Sequence, residues 1–158
     1  PLPSSRGRRL GPRAAAVAAR AKGKLPCVAV TLGTATTFTA LDGSGALVRL
    51  SHHGGCAAES ARAPRAGGAA SGSRYRRQGR GILARNTVDA MRVGAVYGAA
   101  SLVDGMVERF AEALGETPYV VLTGELAPLV TPYLRIPFEY DESLVLDGLH
   151  LIWKKNRG

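Results

Sequence analysis

The apolar positions change period several times along the chain, and each change marks an element. Residues 14–22 bring strong helix formers together (AAAVAARAK), which predicts a helix. Gly23 is its stop, and Pro26 prevents its return. Residues 27–32 (CVAVTL) form a short, nearly continuous apolar run of the kind found in buried strands. A Gly33-Thr34 turn leads to a Thr-rich second strand over 36–41. Asp42-Gly43-Ser44-Gly45 is a strong turn signal, after which 46–50 returns as a third strand.

Residues 51–81 contain Ala, Gly, Ser and Arg with almost no large apolar side chains, and follow neither a period of 2 nor one of 3.6. Such a stretch buries too little surface to offset its ordering entropy, so it reads as a disordered or badly packed insertion. The Arg-rich residues 1–13 read as poorly ordered too. Periodicity resumes at Asn86. Val88, Met91, Ala95, Ala99, Leu102, Met106, Phe110 and Ala113 recur every three or four residues, predicting one long helix with a buried stripe that ends at Gly115. Asn86 or Thr87 caps it, and Gly94 and Gly98 allow another backbone to approach closely. A strand over 119–123 runs into Gly124, followed by a short helix. Residues 141–146 lead into a last helix over 147–156, whose end suits Lys154, Lys155 and Arg157. Strands alternating with helices predict an α/β class with the sheet covered on at least one face.

Length and charge refine this picture. The 158 residues suffice for one domain with a real core, and a chain beginning with Pro reads as a fragment or a processed product. The net charge of +9 is unevenly spread. Residues 1–85 carry 15 Lys/Arg against 2 Asp/Glu, while 86–158 carry 6 against 10. A split this sharp points to a nucleic-acid-binding half or to a region that does not fold normally. Two cysteines, Cys27 and Cys56, make no disulfide framework, and no apolar run is long enough to span a bilayer. Both features suit a cytoplasmic protein, although the Arg- and Ala-rich, acid-poor start shares features with transit peptides.

Several constellations can carry chemistry. A Gly-Thr turn after a buried strand can aim N–H groups and the Thr34 hydroxyl at a phosphate. Taken alone, such a turn is an ordinary hairpin; the extended string Gly33-Thr34-Ala35-Thr36-Thr37-Phe38 is too particular for that. Thr87 lies at a helix N-terminus suited to an anionic or polar ligand, although plain capping also explains the local sequence. Gly124, at a strand end, permits close approach of a nucleotide or a routine strand-to-helix turn. Asp147 is most simply a helix cap. The arginines at 62, 65, 74, 76, 77, 80 and 85 suit nucleic-acid phosphates or a solvated loop. His52-His53 lacks a third metal ligand at useful spacing.

Taken in order, these segments resemble the C-terminal two-thirds of type III pantothenate kinases. The shared elements are the Ala-rich helix, the GTATTF hairpin and Asn86-Thr87 with Ala90-Met91, Gly94 and Tyr97-Gly98. Val103-Asp104-Gly105, Leu122-Thr123-Gly124 and Leu146-Asp147-Gly148-Leu149 complete the series. The resemblance covers 11–48 and 82–157. It implies an incomplete ribonuclease H-like (actin-like ATPase) domain over 14–158, interrupted at 51–81, with a mixed sheet and flanking helices. It implies a homodimer that transfers the ATP γ-phosphoryl to the pantothenate hydroxyl in the first step of coenzyme A synthesis. Mg2+ and a monovalent cation (K+ or NH4+) assist. Carried over by position, Thr34, Gly33 and Gly124 are ATP-side residues, and Thr87, Gly11 and Arg13 are pantothenate-side residues.

The departures are equally specific. The catalytic Asp of the family's Gly-Ala-Asp-Arg motif has no counterpart in Gly11-Pro12-Arg13. Thr31 stands at the monovalent-cation Asp, and Glu125 replaces a glycine beside the nucleotide. Only Gly54-Gly55 resembles the Gly-Gly-x-Ile-x-Pro-Gly segment, and an N-terminal Asp-x-Gly-Asn phosphate loop is absent. Impaired or absent catalysis is therefore expected of this chain. The alternative expectation is a non-catalytic relative that acts as a regulatory or nucleic-acid-binding accessory factor.

Overall fold

A computed structural model of the chain describes residues 10–54 and 82–157. Helix α1 (Leu10–Ala21) leads into β1 (Cys27–Leu32), β2 (Ala35–Leu41) and β3 (Leu47–Gly54). Helix α2 (Thr87–Leu114) precedes β4 (Tyr119–Thr123). A short helix α3 (Ala127–Val130), a 3-10 turn (Thr131–Tyr133), β5 (Glu139–Tyr140) and helix α4 (Leu144–Arg157) follow. The five strands make one mixed sheet in the order β3-β2-β1-β4-β5. β1 pairs antiparallel with β2, as β2 does with β3, whereas β1/β4 and β4/β5 are parallel.

Alternation along the strands sorts the side chains onto two faces. Val28, Val30, Leu32, Phe38, Ala40, Val120 and Leu122 meet Ala99, Ala100, Val103, Val107 and Phe110 of α2. The Phe38 and Phe110 rings lie 6.2 Å apart and tilted, so the hairpin locks into the helix. On the other face Cys27, Ala29 and Val121 meet Ala15, Ala16, Ala18 and Ala19 of α1 and Leu144 of α4. Alanines let α1 lie close to the sheet, and Gly148 lets α4 lie close to α1. A Cβ on Gly148 would overlap the Ala14 carbonyl and come within 2.8 Å of its Cα. Burial pushes the Cys27 thiol up to about 11, as befits a small core residue. Cys56 lies outside the described residues.

Several expectations need correction. Helix α1 starts at Leu10, so Gly11, Pro12 and Arg13 belong to its first turns and not to a poorly ordered stretch. Proline is tolerated there because first-turn amides have no intrahelical acceptor. β3 runs on to Gly54, placing His52 and His53 in a strand opposite Thr37 and Thr36 rather than in a loop. The remainder of the low-complexity segment, and the arginines at 62–80, lie outside the described residues. Arg85 is described and exposed. The α2 stripe is buried only from Ala99 onward, through Val103 and Val107 as well as Phe110. Val88 and Met91 stay exposed, and so does Ala113. A 28-residue helix rises about 42 Å, more than twice the length of the five-residue β4 it packs beside, so its first turns overrun the sheet. Asn86, not Thr87, caps the helix by accepting the Asp89 N–H at 2.9 Å. α4 begins at Leu144, which puts Asp147 inside the helix. Its carboxylate accepts the Ser143 hydroxyl at 2.7 Å. The two-residue β5 escaped the periodicity because it is too short to show one.

A charged clasp ties α1 to the sheet edge. Lys22 Nζ sits 2.7 Å from both Glu139 and Asp141, Lys24 Nζ is 3.5 Å from Glu139, and the Tyr119 hydroxyl donates to Glu139. The Lys22 hydrogen bond, then that of Tyr119, holds the Glu139 carboxyl at about 2. The Lys22 hydrogen bond likewise lowers Asp141. Lys22 is raised by the hydrogen bonds from Asp141 and Glu139. Folding is thus favoured by the acids above their ordinary range near 4, and the benefit disappears as pH falls towards about 2. The lysine contribution is present below its ordinary range and disappears at higher pH. Thermal melts from pH 2 to 6 should show an acid limb that E139Q flattens and that 0.5 M salt weakens, in keeping with a Debye length of about 4 Å there. An unchanged limb in the variant would remove the clasp from the account.

Candidate functional site

The end of the sheet where β1 and β4 finish gathers most of the candidate residues. The β1–β2 hairpin closes through Gly33-Thr34, and the Gly33 N–H bonds the Ala35 carbonyl at 3.3 Å. That amide is therefore engaged within the turn. Thr34 is exposed, and its hydroxyl has no hydrogen-bond partner among the described residues. Gly124 follows β4 with φ +106°, in the left-handed half of backbone space. A Cβ there would overlap the Leu32 carbonyl and lie 2.8 Å from the Leu32 nitrogen. The Leu126 N–H then bonds the same carbonyl at 3.1 Å. The Gly124 turn thus touches the end of β1, immediately before the Gly33-Thr34 turn, main chain against main chain.

Beside this contact lies a row of threonines. Thr31 of β1 is in register with Thr37 of β2 and Thr123 of β4. Thr37 and Thr123 are buried, and the Thr123 hydroxyl reaches the Glu142 carbonyl at 3.5 Å. Thr31 is half-buried. A monovalent cation at Thr31 would lean on a neutral hydroxyl, and among the described residues no group of three His, Cys, Asp or Glu suits a metal ion. The donor set therefore does not fit a cation held by charge at this position. Glu125 is exposed beside Gly124.

The substrate-side candidates stand apart from the turns. Gly11 and Arg13 lie at the start of α1. A Cβ on Gly11 would meet nothing within 4 Å, and Arg13 is exposed with no ion pair among the described residues. Thr87 is exposed at the start of α2, on the part that overruns the sheet. Gly94 and Gly98, one turn apart, likewise face open space. The structure brings Gly33, Thr34, Thr31 and Gly124 together, and joins none of them directly to Gly11, Arg13 or Thr87. No helix among the described residues is long and apolar enough to cross a membrane.

The family model for type III pantothenate kinases matches residues 12–109, which include α1, the hairpin and most of α2. The chain belongs to the type III pantothenate kinase family. Its similarity to the type III pantothenate kinase of Mycolicibacterium smegmatis is 46% identity over 82 residues, covering 49% of this chain and 30% of that protein. With the Syntrophus aciditrophicus enzyme of the same description it shares 47% identity over 75 residues, 48% of this chain and 30% of the relative. The chain thus spans about a third of the length of these curated relatives. Among solved structures, a conserved Campylobacter jejuni protein described as a Baf family transcriptional activator superposes with a TM-score of 0.56. The identity is 18%, over 89% of this chain and 62% of that one. Component A of the (R)-2-hydroxyglutaryl-CoA dehydratase of Acidaminococcus fermentans gives a TM-score of 0.52 at 14% identity, over 87% and 64%. These likenesses are of fold alone, and they agree with the actin-like mixed sheet with flanking helices expected from the pantothenate kinase resemblance.

Three groups had no assigned role in the sequence reading. Asp104 accepts the Arg135 N–H at 3.1 Å and the Ile136 N–H at 3.4 Å. Tyr97 and Tyr133 pack with ring centres 4.7 Å apart, and Lys22 organises the clasp. Asp104 and Tyr97 sit inside the quoted motifs, so their motif positions were the available signal. Their partners lie more than thirty positions away and left no trace in the periodicity.

Proposed function

We propose that this chain is the nucleotide-turn portion of a type III pantothenate kinase, a family that phosphorylates pantothenate at the expense of ATP. The observation that carries the reading is the main-chain contact of the Gly124 turn with Leu32, the residue that leads from β1 into the Gly33-Thr34 motif turn. An exposed hydroxyl at Thr34, in a Gly-Thr turn after a buried strand, suits a phosphate oxygen. Catalysis of phosphoryl transfer rests on positioning and charge neutralisation, with a carboxylate to receive the hydroxyl proton. No carboxylate stands beside Pro12, and Thr31 adds no charge, so the reading is of a chain with impaired or absent turnover. Pantothenate would meet Thr87, Gly11 and Arg13. A second subunit would cover the exposed part of α2 that carries Val88 and Met91.

The test has two parts. A coupled assay with ATP, pantothenate, magnesium and potassium should give no turnover from the folded chain; substantial turnover would mean that another carboxylate serves as base. Titration with a fluorescent ATP analogue should give saturable binding that Thr34→Ala weakens about tenfold, the worth of one hydrogen bond to a charged group. Equal affinity of the variant would remove Thr34 from the site. The basic charge of residues 1–85, together with the missing carboxylates, favours as second reading a non-catalytic accessory factor that touches nucleic acid. Salt-dependent duplex binding without ATP affinity would select it.

A further inference from the structure

The segment that follows Gly124 is held at both ends and in the middle. At its start, Gly124 lies against the Leu32 carbonyl, and the Leu126 N–H bonds it. Further on, the Tyr133 ring packs against Tyr97 of α2. Beyond the 3-10 turn, both carboxylate oxygens of Asp104 face the Arg135 N–H, at 3.1 and 3.2 Å, and the nearer one also faces the Ile136 N–H at 3.4 Å. Leu126, Leu134 and Ile136 pack against the α2 side of the core. Asp104 sits in the middle of a helix, where a carboxylate gains nothing from a terminal dipole. Its position one residue after the fully buried Val103 aims it at the segment instead. Charge-assisted bonds to two consecutive amides are the strongest polar tie between α2 and this segment among the described residues.

We propose that Asp104 is a positioning residue: it fixes the segment 126–136 on α2 and through it holds the Gly124 turn against Leu32, the residue that leads into the Gly33-Thr34 turn. The helix that carries Thr87 and the turn that carries Thr34 then move as one body. The proposal rests on the nucleotide-side reading of these turns only for its effect on ligand binding; the mechanical claim stands on the contacts themselves.

Site-resolved amide exchange on the full chain tests it. In Asp104→Ala the Arg135 and Ile136 amides should exchange at least about tenfold faster, and Leu126, ten positions away, at least about threefold faster. Rates are read relative to the β4 amides of Val120–Leu122 in the same sample, so a general loss of stability cancels. Asp104→Asn, which keeps one acceptor oxygen, should return Leu126 to within about twofold of the parent. If the Ala variant does not fold, Asp104→Glu keeps the charge but overshoots the amides, and Leu126 should again exchange faster. An unchanged Leu126 alongside faster Arg135 and Ile136 would reduce Asp104 to a local cap and overturn the proposal. Affinity for the fluorescent ATP analogue is measured on the same samples and should fall at least about threefold in Asp104→Ala and recover in Asp104→Asn. Absence of binding by the parent chain would instead defeat the nucleotide reading and leave the positioning claim to be decided by exchange.

Discussion

Replacing Gly124 with alanine will cost about 3 kcal/mol of stability and disrupt the contact between the Gly124 turn and the end of β1. Two penalties act together. The residue sits at φ +106°, which an L side chain adopts only under strain. The new methyl would also run into the main chain of Leu32, and no rotamer change relieves a clash with backbone. Gly115 supplies the control. It has φ +75° as the left-handed cap of α2, but a Cβ there meets nothing within 4 Å. Gly115→Ala should therefore cost about 1 kcal/mol, the strain alone. Chemical denaturation of the two variants beside the parent chain measures the difference. Equal losses would mean that the Gly124 turn does not lie against the main chain of Leu32. The same Gly124 variant should lose affinity for the fluorescent ATP analogue, since Thr34 follows directly on the displaced residues.

Gly148→Ala should be comparably damaging, for a different reason. Its backbone is ordinary helix, and alanine is the better helix former by about 1 kcal/mol. Propensity alone would predict stabilisation. The overlap of a Cβ with the Ala14 carbonyl and Cα decides otherwise, because α1 and α4 would have to separate by more than about 1 Å in a close-packed layer. Separation would uncover Leu144 and the buried alanines of α1. A net loss of about 3 kcal/mol is expected, which corresponds to a fall in melting temperature of about 6–12 °C for a chain of this size. A variant that melts with or above the parent would show that the two helices do not pack main chain to main chain.

These two glycines also mark the boundary between what the residues announce and what folding decides. The hydrophobic periods determined β1, β2, β4 and the long helix, with β1 and β4 correct to the residue, because a strand or helix buried on one face must repeat its apolar positions at the period of its backbone. Gly23 and Gly115 were legible as stops for an equally local reason, since both end their helices at positive φ. The family motif was legible in the GTATTF string, and it led to the class of fold. Tertiary structure alone decided the rest. It set which half of the α2 stripe is buried, because the helix outruns its sheet. It ordered Gly11, Pro12 and Arg13 into α1, because alanines a turn later find a core to join. Gly124 and Gly148 look alike in the sequence, each next to an acidic residue, Glu125 or Asp147. One is needed for its dihedral angle and a carbonyl across the sheet, the other only for the helix that crosses it. Asp104 reads as a polar interruption in a helical stripe until Arg135 and Ile136 come to it. Local periods record which side of an element meets the core. They hold no record of which distant main-chain atoms will stand opposite a given Cα, and those contacts build the site.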